Sequence, residues 1–338
     1  MKRFISIILA LFLISVCAAA ETAGTKLNPF EYTGDDPYTA AICEWLLGTK
    51  AEMYAPGEVA IPCPVILEVD DSDPEDILVW GSFNLNWYEL RNTTLFCVSG
   101  GNHPGLIHLS KTGGSYAVAD FEAVGDGTDY SVDIERIFGM REGLLARFEN
   151  SYAEAEAVRL EFAGMYASAN DARINQMQDF GWLPIALPGA SEIYEEDQLV
   201  IHTSSMGYRI EYDLRQFSYS AFDENYDYFS GVDVLEGISI SIQRYDEPAE
   251  SVISSIVGSM EEPVQENVTV GAEAVPAILV RDAALSDEVH KNNYIVEMDG
   301  YCLVIKTSNT YYAAVDASVV EGADEAIEAV LATLIIGK

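Results

Sequence analysis

The chain has 338 residues, of which 49% are hydrophobic and 11% aromatic, and its 18 Lys and Arg face 55 Asp and Glu for a formal charge of −37. A chain this apolar buries a substantial core, which excludes a disordered protein. The negative charge repels phosphate backbones and anionic lipid surfaces. We therefore expect no nucleic-acid partner and no binding to membrane surfaces.

The first twenty residues have the pattern of an export signal. Lys2 and Arg3 precede an apolar run over residues 4–16, and three alanines end at Ala20. The run is too short to span a bilayer as a permanent helix, so no membrane span is expected. The pattern predicts cleavage after Ala20 and a secreted protein, or one in the extracytoplasmic cell envelope.

The cysteines leave two questions open. Cys17 offers an alternative processing route as a lipoprotein, but Val16 stands where that route requires a small residue, which favours cleavage after Ala20. The remaining cysteines match no zinc ribbon and no Cys-x-x-Cys redox site, and their pairing cannot be read from their spacing. They are Cys43, Cys63, Cys97 and Cys302.

The length and patterning predict two α+β domains, each a mainly antiparallel sheet packed with helices. We place the first at residues 30–170 and the second at residues 199–338. Residues 171–198 hold two prolines and two glycines without a clear period, and we interpret them as the linker.

In the first half, Asp36 and Pro37 predict the start of a helix. Alternating apolar residues over 59–69 predict a strand with one buried face, and Pro62 and Pro64 place it at a sheet edge. Further elements are predicted from alternation, glycine pairs and capping residues. They are a second alternating strand from Ile77, short strands at 94–98, 106–109 and 116–124, a helix over 133–149, and a helix with a Ser151–Glu154 capping box.

In the second half, Tyr208, Ile210 and Tyr212 alternate as in a half-buried strand. Pro248 predicts a helix start, and Asp299-Gly300 predicts a two-residue hairpin turn, because glycine accepts a positive φ. Other predicted elements are strands at 199–202 and 238–242 and an amphipathic terminal helix carrying Ile327, Val330, Leu331 and Leu334.

Stretches of the first half resemble known families. The runs Ile77-Leu78-Val79-Trp80-Gly81-Ser82-Phe83 and Val98-Ser99-Gly100-Gly101-Asn102-His103-Pro104-Gly105, with the strand over 116–121, are similar to exported proteins of anaerobic gut bacteria that have no assigned activity. The order of a helix and then a meander, over about residues 30–140, resembles cystatin-like and NTF2-like α+β domains. These resemblances imply a fold and no catalytic residue.

The second half resembles the PsbP-like α-β-α sandwich. The resemblance rests on Gly207-Tyr208-Arg209-Ile210-Glu211-Tyr212, a strand at 237–242, and the following helix, hairpin and terminal helix. Asp213-Leu214-Arg215 stands where such proteins often carry Pro or Trp. This resemblance also transfers no catalytic residue.

Motifs of several hydrolases are absent from the sequence, including Gly-x-Ser-x-Gly, His-Glu-x-x-His and a serine three residues before a lysine. Three other patterns carry candidate chemistry. His103 and His108 offer two imidazoles for zinc, and Cys97 with His103 is a candidate nucleophile pair. The acidic turn offers oxygen ligands for calcium at Asp71, Asp73 and Asp76, although it lacks the glycine and terminal Glu of an EF-hand.

Residues 208–229 are the richest stretch for recognition, because aromatic rings alternate there with carboxylates, a composition that suits sugars, peptides or cations. The candidate ligand-binding residues are Tyr219, Phe222, Tyr226 and Tyr228, with Asn102 and His103 from a predicted loop. We expect a non-catalytic binding or interaction protein of a bacterial cell envelope, whose partner is an envelope protein or a glycan. The alternatives are a secreted carboxylate-dependent glycan hydrolase and a calcium-dependent adhesion module.

Overall fold

The computed structural model describes residues 27–170, 172–285, 289–310 and 317–337, so the predicted leader lies outside the described residues. Within them, helices pack on mostly antiparallel sheets. This confirms the predicted α+β class.

The first half forms one sheet covered by helices. Its strand order is β1-β2-β3-β5-β6, with β4 paired to the C-terminal part of β3. The elements in chain order are α1 (Pro37–Thr49), β1 (Val59–Asp70), β2 (Ile77–Arg91), β3 (Thr94–Thr112), β4 (Ser115–Ala123), α2 (Tyr130–Phe138), α3 (Leu144–Glu149), α4 (Tyr152–Ala169), β5 (Gln176–Gln178) and β6 (Ile185–Ala186).

Helix α1 begins where its capping residues predict. The Thr39 amide donates a hydrogen bond to the Asp36 carboxylate over 2.9 Å, and Pro37 occupies the first turn, where its missing N–H costs nothing. Ile42 and Leu46 are fully buried against the sheet.

Strand β1 lies at the sheet edge, as Pro62 and Pro64 predict, and it pairs with β2. The expectation of one buried face was wrong, because the first part of the strand is buried on both faces. Ala60 belongs to the cluster under α1, whereas Ile61 belongs to the cluster with α4. The sheet therefore lies between two helical layers.

Strand β3 is one long element, where the sequence predicted two short strands separated by a loop. Gly100 and Gly101 lie inside it and pair with Asn86 and Leu85. Glycine serves close approach here rather than a turn, because a Cβ on Gly100 would lie 2.6 Å from the Leu85 carbonyl oxygen of the paired strand.

The predicted helix over 133–149 is two helices, α2 and α3. Helix α2 ends before Gly139, and α3 begins after Gly143, whose positive φ of 78° glycine adopts without strain. Helix α4 starts after Ser151 as predicted, but the capping box is absent: the Ser151 hydroxyl donates to the Phe148 carbonyl instead.

The second half contains a long sheet and a small one. The long sheet has the order β12-β13-β14-β15-β11-β10-β9, and the small sheet has the order β16-β8-β7. The elements are α5 (Glu195–Gln198), β7 (Leu199–Ser204), β8 (Tyr208–Asp213), β9 (Phe217–Asp223), β10 (Tyr226–Gly231), β11 (Ile238–Tyr245), α6 (Ala249–Val257), β12 (Pro263–Val270), β13 (Val275–Asp282), β14 (Val289–Glu297), β15 (Cys302–Thr310), α7 (Ala317–Thr333) and β16 (Ile335–Ile336).

The core of this half lies between the two sheets and α7. Tyr208, Ile210 and Tyr212 on β8 are buried with Ile327 and Val330 of α7, which confirms both amphipathic patterns. The predicted hairpin also forms: Gly300 has a φ of 85°, and the Met298 amide donates to the Tyr301 carbonyl over 2.9 Å. The turn thereby sets the register of β14 against β15.

The predicted linker carries structure of its own. Strand β5 pairs in parallel with the start of β3, and the Gln178 side chain donates to the Leu214 carbonyl over 2.9 Å. In a second hydrogen bond between the halves, the Arg91 guanidinium donates to the Tyr219 carbonyl over 2.7 Å. The two halves therefore contact each other through β5 and the end of β2, while the domain boundaries stay a prediction.

Cys43, Cys63, Cys97 and Cys302 are all free. Burial raises the pKa of Cys63 and of Cys97 to about 12, which keeps these thiols protonated and unreactive.

None of the helices in the described ranges combines the length and apolar composition needed to cross a bilayer.

We expect Gly105→Ala to destabilise the first half by about 1–3 kcal/mol. Gly105 pairs with Gly81, and a Cβ there would lie 2.3 Å from the Glu122 carbonyl oxygen, which cannot move without breaking the pairing of β3 with β4. Urea unfolding at neutral pH measures the effect.

Gly48→Ala is the control for that experiment. Gly48 lies in α1, and apart from its chain neighbours and the backbone of its own helix no heavy atom lies within 4 Å of the position that an alanine Cβ would take, so alanine should stabilise the helix by up to about 1 kcal/mol. Equal unfolding midpoints for Gly105→Ala and the unmodified protein would contradict the close approach.

Candidate ligand-binding site

An open groove of about 1380 Å³ lies on the first-half sheet, beside the helical layer formed by α2, α3 and α4. Strands β1, β2 and β3 form its floor, and the helices form one wall. The turn between β5 and β6 and two residues of the second half, Asp233 and Glu236, complete the lining. The groove is therefore built from parts of the chain that are distant in sequence.

The floor of the groove is a row of uncharged polar side chains. Ser82, Asn84 and Asn86 alternate along β2, and Asn102 on β3 lies opposite Asn84, so all four share one face. The Ser82 hydroxyl donates to Asn102 Oδ1 over 2.9 Å, and Asn86 Nδ2 donates to the weak acceptor Cys63 Sγ over 3.5 Å. The Asn84 amide donates to the Ser82 carbonyl over 3.3 Å, and the Cys97 thiol lies 4.0 Å from Asn86 Oδ1. These contacts still leave some donors and acceptors of the three amides unused.

The opposite face of β2 explains why this row is held in place. Phe83 and Leu85 alternate with the polar residues and are fully buried in the cluster under α1. Asparagine is depleted in strands, so two of them at alternate positions of an inner strand are unusual. The apolar residues of this alternation predicted the strand. The polar residues form a Ser-x-Asn-x-Asn pattern that is visible in the sequence, but sequence reasoning did not identify it as part of a site.

The turn between β5 and β6 forms another wall of the groove, and an ion pair joins it to α4. Arg159 of α4 donates through Nη1 to Asp179 Oδ2 over 2.6 Å and through Nε to the Tyr88 hydroxyl over 2.8 Å. Burial alone would lower the Arg159 pKa, but Asp179 and Tyr88 hold it above its usual value. Because the Trp182 amide donates to the Asp179 carbonyl, the pair also fixes the turn that carries Trp182.

Aromatic rings stand at the rim of the groove. Tyr152 is 88% exposed and Trp182 is 72% exposed, and Tyr130 is also exposed. Large rings left in water beside a polar cavity are typical of ligand-binding surfaces. The exposed rings offer flat apolar faces above the amide groups of the floor.

The charged side chains that line the groove are all acidic except Arg159. Its carboxylates are Glu149, Glu156, Asp179, Asp233 and Glu236. This charge disfavours phosphorylated or sulfated ligands and permits neutral or cationic ones.

The two residues predicted together as a loop lie on opposite faces of β3. Asn102 faces the groove, whereas His103 lies opposite Phe83 and contacts the Tyr54 hydroxyl over 3.0 Å. Burial, with a smaller effect from Lys50, lowers the pKa of His103. The loop itself was a wrong expectation, because the glycines allow the strand to continue.

The candidate histidine and cysteine chemistry is not assembled. His108 is five residues from His103 on the same strand and therefore points to the other face; its partners are Asp76 at 2.9 Å and Glu122 at 3.3 Å. Cys97 lies six residues before His103, about 20 Å along an extended strand. His103 is thus out of reach both of a shared zinc and of the Cys97 thiol.

Three of the predicted aromatic residues come together on the second-half sheet, outside the groove. The ring centroid of Phe222 lies 5.4 Å from that of Tyr226 and 5.7 Å from that of Tyr228, and Phe180 extends the row at 6.3 Å from Tyr228. Tyr219 is separate from them, because it is buried and its hydroxyl donates to Asp227 over 2.6 Å.

The candidate calcium ligands Asp71, Asp73 and Asp76 lie in the exposed turn between β1 and β2. Asp73 accepts a backbone hydrogen bond from Glu75, and Asp76 contacts His108. Across the described ranges, no three His, Cys, Asp or Glu side chains are grouped so as to hold a metal ion. Calcium binding stays a prediction.

A buried carboxylate that the sequence did not reveal lies in the second half. Asp227 is 5% exposed at its side chain and accepts hydrogen bonds from Ser204 Oγ over 2.7 Å, from the Tyr208 and Tyr219 hydroxyls, and from His202 Nε2 over 3.3 Å. Burial alone would raise its pKa, but these donors together lower it to about 2. Asp227 is thus a fully satisfied anion that ties β10 to β7, β8 and β9.

Comparison with known proteins adds little to this geometry. No family model matches the chain, and no curated protein matches it. The solved structures it matches include a crystal structure from Bacteroides thetaiotaomicron, with 12% identity and a TM-score of 0.28. The matched region covers 40% of this chain and 47% of the Bacteroides chain, which is less than half of that chain's length. A TM-score this low does not establish a shared fold, so the family resemblances stay predictions.

We expect Asp227→Asn to destabilise the protein by about 2–4 kcal/mol at pH 7, because it removes a charge that four donors were arranged to satisfy. The depressed pKa accounts for about 2 kcal/mol of this. That part is fully present above about pH 4 and is lost as the pH falls toward about 2, because the unfolded chain takes up the proton first.

Urea unfolding of both proteins between pH 7 and pH 2 measures this, and the gap between them should narrow below pH 4. Glu224→Gln, on an exposed neighbouring residue, is the matched control and should change stability little at any pH. A gap that stays constant down to pH 2 would show that the charge of Asp227 contributes nothing.

Proposed function

We propose that the chain is an exported, non-catalytic glycan-binding protein of a bacterial cell envelope, with the groove as its binding site. The observation that carries the proposal is the row of Ser82, Asn84, Asn86 and Asn102 beneath exposed aromatic rings. Amides offer both donors and acceptors to hydroxyl groups, and rings contact the apolar faces of sugars. Export is supported by the leader pattern of residues 1–20.

The acidic lining narrows the class of glycan. One guanidinium, already bound to Asp179, faces five carboxylates, so sulfated, phosphorylated and uronic-acid chains are disfavoured. Neutral chains need no compensating charge. We therefore assign the groove to neutral oligosaccharides.

A glycan hydrolase is the second candidate, and the carboxylates of the groove favour it. Such an enzyme needs two of them, about 5–10 Å apart across the scissile bond. Asp179 is occupied by Arg159, which leaves Glu149, Glu156, Asp233 and Glu236 as the acidic residues to test.

Calorimetric titration of residues 21–338 with cellohexaose, maltohexaose, xylohexaose and chitohexaose tests the proposal. We expect at least one to bind, and Trp182→Ala to weaken that binding at least tenfold, since the indole is a large exposed ring of the kind that often dominates binding energy. Asn84→Ala and Asn102→Ala should each weaken it about tenfold by removing hydrogen bonds to the sugar.

Phe222→Ala is the matched control, because it removes an exposed ring outside the groove. A loss of binding in this variant, with Trp182→Ala unaffected, would move the site to the aromatic row on the second-half sheet. Binding of none of the four sugars would overturn the proposal. Release of shorter sugars that Glu156→Gln or Glu236→Gln abolishes would establish the hydrolase instead.

A further inference from the structure

A second cleft, of about 930 Å³, lies where the two halves of the chain meet. The end of β2 and the start of β3 form one wall, and strands β7, β8 and β9 form the other. Sugar binding in the groove makes no use of this cleft.

The inner part of the cleft holds a guanidinium with unused donors. The Arg91 side chain is 10% exposed and stacks over the Phe96 ring, 3.6 Å from its centroid. It donates to the Tyr219 carbonyl over 2.7 Å and to Glu89 over 3.0 Å. Because a guanidinium has five N–H groups, several stay available in a fixed, planar arrangement.

A second donor beside Arg91 lacks an acceptor. Tyr212 is 1% exposed and lines the cleft; its hydroxyl lies beside the Arg91 guanidinium, which is itself a donor, and within the described residues it reaches no acceptor. A buried hydroxyl left unsatisfied costs stability, and an acceptor in the cleft would remove that cost. Tyr208, on the same face of β8, shows the contrast, because its hydroxyl donates to Asp227.

The outer part of the cleft has the opposite charge. Glu196 is exposed there, while Leu90, Phe96 and Phe180 supply the apolar part of the wall. Donors thus lie deep, where Glu89 accepts from one of the Arg91 nitrogens, and the exposed carboxylate of Glu196 lies near the opening. A ligand suited to both has a carboxylate at its leading end and a positive charge further back. A dianion such as a phosphate would meet these carboxylates without compensation.

We propose that this cleft binds the C-terminal end of a short peptide. The terminal carboxylate accepts from Arg91 and from the Tyr212 hydroxyl, in the paired geometry that guanidinium groups favour. The last side chain packs against Phe96 and Phe180. The amino terminus of a tripeptide lies toward Glu196. The cleft is large enough for two or three residues, which favours a peptide over a free amino acid.

The test is calorimetric titration of residues 21–338 with the tripeptide Ala-Ala-Leu, its C-terminal amide and its N-acetyl form. We expect the free acid to bind, the amide to bind at least tenfold more weakly because the carboxylate is lost, and the acetylated form to bind several-fold more weakly. Equal binding of acid and amide, or no binding of the acid at millimolar concentration, overturns the proposal. Equal binding of the acetylated form overturns the placement of the amino terminus.

Tyr212→Phe is the sharpest variant, because it removes the hydroxyl and keeps the packing. It should weaken binding of the free acid at least fivefold and leave the melting temperature unchanged or higher. Tyr245→Phe, whose hydroxyl donates to Gln243 away from the cleft, should leave binding unchanged. Unchanged affinity in Tyr212→Phe overturns the role of the hydroxyl. Since the probes contain no sugar, these outcomes are independent of the groove.

Discussion

The alternation of side chains along β2 is the constraint on which the first half depends. One face must supply apolar residues to α1, and Phe83 and Leu85 do so with full burial. The other face then carries Ser82, Asn84 and Asn86, and a shift of one residue would exchange the two sets. The polar floor of the groove and the core under α1 are therefore fixed by the same pairing of β2 with β1 and β3. A ligand site built on paired strands is held more rigidly than one built on loops.

Charge has a different role in each half. In the first half, Arg159 and Asp179 join α4 to the turn that bears Trp182, so an ion pair sets the width of the groove. In the second half, Asp227 forms no ion pair with a Lys or Arg of the described ranges and is satisfied by hydroxyl groups and His202. Such a network specifies a single arrangement of four strands, because each donor has one geometry that reaches the carboxylate.

Local signals in the sequence were sufficient where one residue type has one structural role. Asp36 with Pro37 predicted the start of α1, the prolines predicted the edge strand, and Gly300 predicted the hairpin. They failed where the role depends on tertiary contacts. Gly100 and Gly101 have the composition of a turn, but the pairing of β3 with Leu85 and Asn86 of β2 continues through them. The candidate site was only partly predictable for the same reason. Asn102 was identified from its own segment, but its partners Ser82 and Asn84 come from another strand, and Arg159 and Trp182 come from elements more than fifty residues away. Pairing between distant segments is the information that one sequence does not display.

The turn between β5 and β6 is shared by both cavities. Phe180 lines the cleft between the halves, Trp182 lines the groove, and the Gly181 amide between them donates to Ser218 Oγ over 2.8 Å. Adjacent residues of one tight turn cannot shift independently. If both cavities bind the ligands proposed for them, a ligand that displaces this turn in one cavity changes the affinity of the other cavity, and thermodynamic linkage makes the two effects equal in size. A single molecule that carried both a sugar chain and a peptide would then occupy the two cavities together, and its affinity would include this coupling.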